Sequence, residues 1–147
     1  MCIFSFLPFS LFFLILIAFP SCSAKAANSY GDVVVDTVYR VYDGDTFYAG
    51  IYAWPPVIGD HIGIRVAGID APEIRDKRSR IKNLAHQARV LADSALTNAQ
   101  KVELRVIRRD KYFRILADVY CDGHSLADLL IAAGLARPYY GGKKILW

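Results

Sequence analysis

The feature that most constrains the fold of this chain is one long helical pattern set between segments with a strand pattern. Within residues 83–99, apolar side chains recur at the 3.6-residue spacing of a helix, at Leu84, Ala88, Leu91 and Ala95. A chain of 147 residues is long enough for one domain and short for two separate cores. We therefore expect this helix and the strands around it to belong to a single domain.

Segments rich in β-branched and aromatic residues lie on both sides of this helix and predict strands. The five predicted strands are 33–42, 46–52, 61–69, 101–108 and 114–121. A short last helix is predicted over 126–133, where Ser125 and Asp128 form a capping box and Gly134 ends the helix. Three strands, a helix, two strands and a helix is the order of a five-stranded OB-fold barrel with a helix after strand 3. The predicted fold class is therefore mainly β with helices (α+β).

Three segments between these elements predict turns or loops. Asp43-Gly44 is a hairpin dipeptide whose glycine readily takes a positive φ. Residues 55–60 begin with two prolines and end in Gly-Asp, which predicts a loop. Residues 74–82 carry five basic side chains and one acidic side chain, and such a charge run is usually a solvated loop.

The first 24 residues contain no charged side chain and predict a signal peptide, with small residues suited to cleavage near 24–27. This leaves 25–147 as the functional domain and predicts an exported protein, periplasmic or secreted. A permanent membrane helix is the alternative, although Pro8 and Pro20 leave the apolar run short for a span. A second alternative is lipid anchoring at Cys22, in a segment similar to a lipoprotein cleavage box.

Polar residues at the strand ends point to phosphoryl-transfer chemistry. Asp45 and Asp70 supply hard carboxylate oxygens which, with a backbone carbonyl and water, suit Ca²⁺. Glu73 is a third carboxylate that could activate water. Arg65 and Arg114 are suited to clamp a phosphate, since a guanidinium stays charged and offers a flat bidentate face. The net charge of +4 is compatible with a nucleic-acid partner.

Strand alternation raises a difficulty for this set of residues. Arg65 and Asp70 are an odd number of residues apart, so a regular strand would direct their side chains to opposite faces. A bend near Gly68, or a strand that ends before Asp70, is needed to bring them together.

Three segments resemble, in order, the signature segments of the staphylococcal nuclease family. They are residues 43–46 (DGDT), 65–73 (RVAGIDAPE) and 110–117 (DKYFRILA). Residues 134–137 (GLAR) are similar to the closing segment of that family, and the resemblance extends from about residue 33 to residue 140.

The resemblance implies a calcium-dependent nuclease that hydrolyses phosphodiester bonds of DNA and RNA, with single-stranded or open duplex substrates favoured. The implied metal ligands are Asp45, Asp70 and, through its backbone carbonyl, Ala71. The implied catalytic residues are Arg65 and Arg114, which hold the phosphate, and Glu73, which activates or positions the water. The implied substrate contacts are Lys111, Tyr112 and one of Tyr139 and Tyr140. No obligate protein partner is expected, and we expect a monomer.

The sequence departs from the family pattern before the second arginine. Phe113 stands where a glycine is common in the family. If the turn requires a positive φ, Phe113 is strained there and affects the placement of Arg114.

The alternative function is a non-catalytic OB-fold module that binds nucleic acid. A binding module has no need for the three carboxylates and two arginines together, whereas stabilisation of a phosphoryl transition state uses all of them. The retention of the full set favours the enzyme.

Overall fold

The structure is a computed structural model that describes residues 29–110, 112–143 and 146–147. The predicted signal segment 1–24, with Cys22, lies outside the described residues, as does Lys111. Within the described residues, no helix has both the length and the apolar composition of a membrane span.

Nine strands occur in the described residues: β1 (Val33–Val35), β2 (Thr37–Asp43), β3 (Thr46–Gly50), β4 (Ile62–Val66), β5 (Ile69–Asp70), β6 (Val102–Arg109), β7 (Ile115–Cys121), β8 (His124–Ser125) and β9 (Arg137–Pro138). The five predicted strands are all present, but the first and the third are each divided in two. The first divides at Asp36 and the third at Ala67 and Gly68.

Three helices accompany the strands in the same residues: α1 (Pro56–Gly59), α2 (Ser79–Asn98) and α3 (Leu126–Ala132). The prediction of a loop over 55–60 is wrong at its centre, because Pro56 provides a φ suited to the first position of the one-turn helix α1. Helix α2 begins four residues before its predicted start at 83. Ile81 is buried and extends the apolar face by one turn, so the second half of the basic segment 74–82 is helical.

The last helix begins where predicted and ends one residue earlier than predicted, with the predicted capping residues at both ends. The backbone N–H of Asp128 donates to Oγ of Ser125 at 3.1 Å, as the capping box requires. Gly134 has φ 68° directly after the helix, where a left-handed residue ends it.

The main sheet has seven strands in the order β1-β6-β7-β4-β3-β2, with β8 paired to β7. Its neighbours are antiparallel except β4 and β7, which are parallel. Strands β1 and β2 lie at opposite ends of this order, yet only Asp36 separates them in the chain. The sheet must therefore curl until its edges meet at Asp36. The resulting curled half-barrel confirms the OB-type α+β prediction.

The core lies between the inner face of this sheet and helix α2. Alternate residues of the strands turn inward, including Val41, Phe47 and Ile64, while Ala88 and Ala92 form the buried face of α2. Burial of apolar surface is the main force that holds the helix on the sheet. Small alanine side chains allow the helix backbone to lie close to the strands.

Position 44 requires glycine because of this close approach and not because of its φ angle. It is not one of the glycines with positive φ, so that expectation is wrong. A Cβ placed on Gly44 would lie 2.7 Å from Cβ of Ala88 and 3.0 Å from Cβ of Ala71. The hairpin turn between β2 and β3 thus packs directly against α2 and against the segment that follows β5.

We predict that Gly44→Ala lowers the free energy of unfolding by about 1–3 kcal/mol, because the added methyl group overpacks this contact. Urea unfolding measures the loss, and Ala88→Gly provides the second arm of a double-mutant cycle. The double variant should lose less free energy of unfolding than the two single variants lose in sum. Simple additivity would show that the two side chains do not collide.

Candidate active site

Two buried carboxylates lie at the centre of the candidate site. Asp45 lies in the turn between β2 and β3 and is 2% exposed, and Asp70 ends β5 and is 6% exposed. Carboxylates are rarely buried to this extent unless they are paired with other charged or polar groups. Their surroundings therefore indicate what the site is built to hold.

Asp45 accepts hydrogen bonds from three parts of the chain. Nη1 of Arg65 donates to its Oδ1 and forms a salt bridge with it. Oγ1 of Thr46 donates to the same oxygen at 3.0 Å, and the backbone N–H of Ala71 donates to Oδ2 at 2.9 Å. The carboxylate joins the first hairpin to β4 and to the segment after β5.

Burial, and after it the nearby carboxylate of Asp43, raise the pKa of Asp45 to about 7, although Arg65 and the Ala71 N–H act in the opposite direction. Burial has this effect because it removes the water that stabilises the charged form. The charged form of Asp45 therefore gains stability from any additional positive charge beside it. This is the environment expected of a carboxylate that binds a cation.

Arg65 links the carboxylate of Asp70 to that of Asp45. Its Nη2 lies 3.5 Å from Oδ1 of Asp70 and donates to the carbonyl of Ile69 at 3.3 Å. One guanidinium thus contacts both buried carboxylates. The chain reaches this arrangement because β4 ends at Val66 and Gly68 takes φ 77° before β5 begins. The bend that strand alternation required is present.

The two carboxylates of Asp45 and Asp70 and the nearby backbone carbonyl of Ala71 are hard oxygen ligands of the kind that Ca²⁺ prefers. Among the described residues, no three His, Cys, Asp or Glu side chains come together as a metal-binding group, so any further ligands have to be backbone oxygens or water. Ca²⁺ accepts such mixed oxygen ligands.

Arg114, directly before β7, is held by Asp110. Its Nε and Nη2 donate to Oδ2 of Asp110 at 3.0 and 2.5 Å. Its guanidinium carbon lies 5.4 Å from the ring centre of Tyr112. A Cβ placed on Gly63 would lie 3.2 Å from Cγ of Arg114, so the absence of a side chain at Gly63 gives the arginine stem room to cross β4. Asp110 and Gly63 orient Arg114.

The turn before Arg114 has the backbone conformation that makes Phe113 unfavourable. Phe113 has φ 59°, in the left-handed region, and 64% of its surface is exposed. Arg109 stacks on its ring at 4.3 Å. The strain expected from the sequence is therefore present, and Arg114 still reaches the candidate site.

A groove of about 1010 Å³ joins these features. Eight of the ten predicted site residues line it: Asp45, Arg65, Ala71, Glu73, Tyr112, Arg114, Tyr139 and Tyr140. Of the remaining two, Lys111 lies outside the described residues. Asp70 does not line the groove, and Nε1 of Trp147 donates to its Oδ2 at 3.3 Å.

The two C-terminal tyrosines differ in how they are held. Tyr139 is partly buried, donates its N–H to the carbonyl of Gly68 at 2.8 Å and its hydroxyl to the carbonyl of Gly142 at 2.9 Å. Tyr140 is 91% exposed and lies against Gly68. Tyr140 therefore offers a free ring surface at the groove, whereas Tyr139 has its hydroxyl engaged.

A comparison with known protein families agrees with this geometry. The family described as staphylococcal nuclease homologue matches residues 63–144, more than half of the chain. The chain belongs to the staphylococcal nuclease family. The matched residues include all of β4 but its first residue, β5, α2 and the turn that carries Arg114, so they cover the predicted catalytic residues of the groove.

Two similar proteins come from Bacillus subtilis (strain 168). The chain is 36% identical to endonuclease YncB over 107 residues, which are 71% of this chain and 47% of YncB. It is 34% identical to the SPbeta prophage-derived endonuclease YokF over 112 residues, which are 74% of this chain and 36% of YokF. The chain thus spans less than half the length of either relative.

Three residues of this nuclease-family site had no role in the sequence prediction. Thr46 donates to Asp45, Asp110 holds Arg114, and Gly63 makes room for the arginine stem. Thr46 and Asp110 lie inside the segments that resemble the family, so those segments already contained a signal for them. Gly63 had no such signal, because its importance depends on which side chain crosses it.

We predict that the free energy of unfolding of Phe113→Val is lower than that of Phe113→Gly by about 1–2 kcal/mol. The reason is that a β-branched residue is poorly accommodated at positive φ, whereas glycine adopts a positive φ readily. Both variants remove the ring on which Arg109 stacks, so the comparison isolates the backbone effect. Thermal unfolding of the two variants measures the difference. Equal stabilities would contradict a left-handed conformation at this position.

Proposed function

We propose that the protein is an exported, monomeric, calcium-dependent nuclease that hydrolyses phosphodiester bonds in DNA and RNA, with single strands or open duplex favoured. The observation that carries the proposal is the arrangement of one groove. Arg65, Arg114 and Glu73 line it together, and the buried Asp45 forms part of its wall. The names of YncB and YokF as endonucleases, and the family match, support a phosphodiester-hydrolysing activity.

Two arginines that reach one groove from neighbouring segments of the sheet suit a phosphodiester between them. Arg65 contacts the carboxylates with its Nη atoms, and Arg114 is oriented by Asp110. Because their ion-pair partners hold them, both guanidiniums are positioned before substrate binds. Preorganised donors of this kind stabilise the extra negative charge of a five-coordinate phosphorane more than they stabilise the ground state.

Glu73 supplies the base. It is exposed and lines the same groove as the two arginines. In the proposed reaction a water oxygen forms a bond to phosphorus while Glu73 accepts the proton of that water. The bond from phosphorus to the 5′ oxygen breaks, and that oxygen takes a proton from solvent. The products have 5′-hydroxyl and 3′-phosphate ends.

Asp45, Asp70 and the carbonyl of Ala71 would hold Ca²⁺ in this proposal. When bound, the ion supplies Lewis-acid polarisation of a phosphate oxygen and charge neutralisation. The chain itself contributes the fixed position of the carboxylates, since Arg65 and the Ala71 N–H hold Asp45.

The tyrosines of the groove supply surfaces for the nucleotide. Tyr112 is 66% exposed and Tyr140 is 91% exposed, so solvent and a nucleotide base can reach both side chains. Tyr139 and Lys111 complete the set of substrate contacts implied by the family resemblance. Stacking tolerates all bases, which is compatible with action on both DNA and RNA.

Export is the part of the proposal that depends on sequence alone. It is supported by the uncharged segment 1–24 and the small residues at 24–27. The same segment sets the proposed nuclease domain at 25–147.

The proposed function is tested with single-stranded DNA and the purified protein. We expect cleavage with Ca²⁺ present and none after a chelator is added. Arg114→Ala should lower kcat by about a hundredfold, because one preorganised donor to the transition state is lost. Arg105→Ala is the matched control, since Arg105 is a partly exposed arginine outside the groove that also forms a salt bridge.

Two results would contradict the nuclease. One is intact DNA at all calcium concentrations, and the other is equal activity of Arg114→Ala and Arg105→Ala. DNA that is retained without products, with an affinity that falls steeply as salt rises, would instead establish the non-catalytic binding module.

A further inference from the structure

A continuous line of aromatic and cationic side chains crosses the outer surface of the first hairpin. Each member contacts the next, and none of them is a predicted catalytic or metal-binding residue. We call this line the hairpin track. Its members, in spatial order, are Tyr39, His61, Tyr48, Arg40, Tyr42 and Arg75.

The contacts along the hairpin track are of stacking length. The ring of His61 lies 4.8 Å from that of Tyr39 and 5.4 Å from that of Tyr48, and both pairs are stacked. The guanidinium carbon of Arg40 lies 5.5 Å from the ring centre of Tyr48 and 5.6 Å from that of Tyr42. Arg75 lies 5.9 Å from the ring centre of Tyr42. These distances are within the range of cation–π attraction.

The fold places these residues on one face. Arg40 on β2 lies directly opposite Tyr48 on β3, and Tyr42 follows Arg40 by two residues. The residues between them, Val41 and Phe47, are buried in the core. The core requires the inner residues of the hairpin, but it places no such demand on the outer ones. Packing of the core therefore does not explain the large rings and guanidiniums on the outer face, and binding of a ligand is the alternative explanation.

The hairpin track meets the candidate active site at two points. Tyr42 and Arg75 line the groove. Farther along, Gly63 separates Tyr48 from the catalytic arginine: a Cβ placed there would lie 3.6 Å from Cε1 of Tyr48 and 3.2 Å from Cγ of Arg114. A chain of nucleotides that enters the groove can therefore continue onto the track.

The charges of the hairpin track are available to a polyanion. Among the described residues, neither Arg40 nor Arg75 forms a salt bridge, whereas Arg65 and Arg114 both do. Arg40 and Arg75 are exposed, and Tyr42 and Tyr48 are partly exposed. Proteins that bind single strands combine cations for the phosphates with rings for the bases.

We propose that the hairpin track binds the single-stranded nucleic acid that flanks the scissile phosphate. This inference rests on the proposed function, because it takes the groove as the place where the strand is cut. Bases stack on Tyr42 and Tyr48, and the phosphates between them face Arg40 and Arg75. Long single strands therefore bind more tightly than short ones.

The test is fluorescence anisotropy with labelled oligothymidylates of about twelve and about three nucleotides, the first within and the second below the usual length of a single-strand site of an OB fold. A chelator is present so that binding is measured without cleavage. Tyr42→Leu removes the ring but keeps an apolar side chain, and Tyr42→Phe keeps the ring. Tyr120→Leu is the matched control, because Arg105 lies 4.1 Å from the ring centre of Tyr120 and neither residue lines the groove.

We expect Tyr42→Leu to weaken binding of the longer oligonucleotide about tenfold, the usual effect of losing one stacked base, and to affect the shorter one less. Tyr42→Phe should bind the longer one as the unaltered protein does, which also shows that position 42 tolerates substitution. Tyr120→Leu should bind both without change.

Equal affinities of Tyr42→Leu and Tyr120→Leu for the longer oligonucleotide would overturn the hairpin track, even if the protein cleaves DNA. An equal loss with both lengths would also overturn it, since a flanking site contributes only to long strands. Failure of the unaltered protein to cleave DNA overturns the nuclease instead. The two failures are therefore separate results.

Discussion

The buried salt bridge between Asp45 and Arg65 joins the parts of the chain on which the candidate site depends. Asp45 belongs to the turn between β2 and β3, and Arg65 belongs to β4. The same carboxylate accepts from the N–H of Ala71, and the same guanidinium reaches Asp70. Removal of Arg65 would leave the buried carboxylate of Asp45 without its ion-pair partner, which is destabilising. The groove is thus held in shape by the groups that are proposed to do its chemistry.

Close packing of backbone supports this arrangement. Gly44 brings the first hairpin onto α2 and Ala71, and Gly63 lets Arg114 cross β4. Gly68 bends the chain so that Arg65 and Asp70 share one side. Each glycine removes a Cβ or allows a turn at a point where two site residues must meet. The curled sheet provides the frame, and its shape follows from the pairing of the edge strand β1 with β6.

Local patterns predicted the elements of this fold, and pairing across the sheet determined their limits. The capping residues Ser125 and Asp128 identified α3 because a cap is a local interaction. The division of the first strand at Asp36 could not be predicted, because it occurs where the sheet curls and its two edges meet. In the site, the resemblance of three segments to the family identified the candidate site residues. The positive φ at Phe113 was expected because one of these segments has Phe113 where a glycine is common in the family. The contacts of Arg114 with Asp110 and across Gly63 needed the three-dimensional fold, because they depend on the conformation of the turn between β6 and β7 and on its position beside β4.

Calcium binding by the buried carboxylate is the claim on which the proposed chemistry depends. Isothermal titration calorimetry of the purified protein with Ca²⁺ should show binding, and Asp45→Asn should weaken it by about tenfold or more, since one charged oxygen ligand is lost. Asp93→Asn, at an exposed position of α2, should bind as the unaltered protein does. Calcium affinity that is the same in Asp45→Asn and Asp93→Asn would contradict a metal site at Asp45, and so would the absence of calcium binding by the unaltered protein.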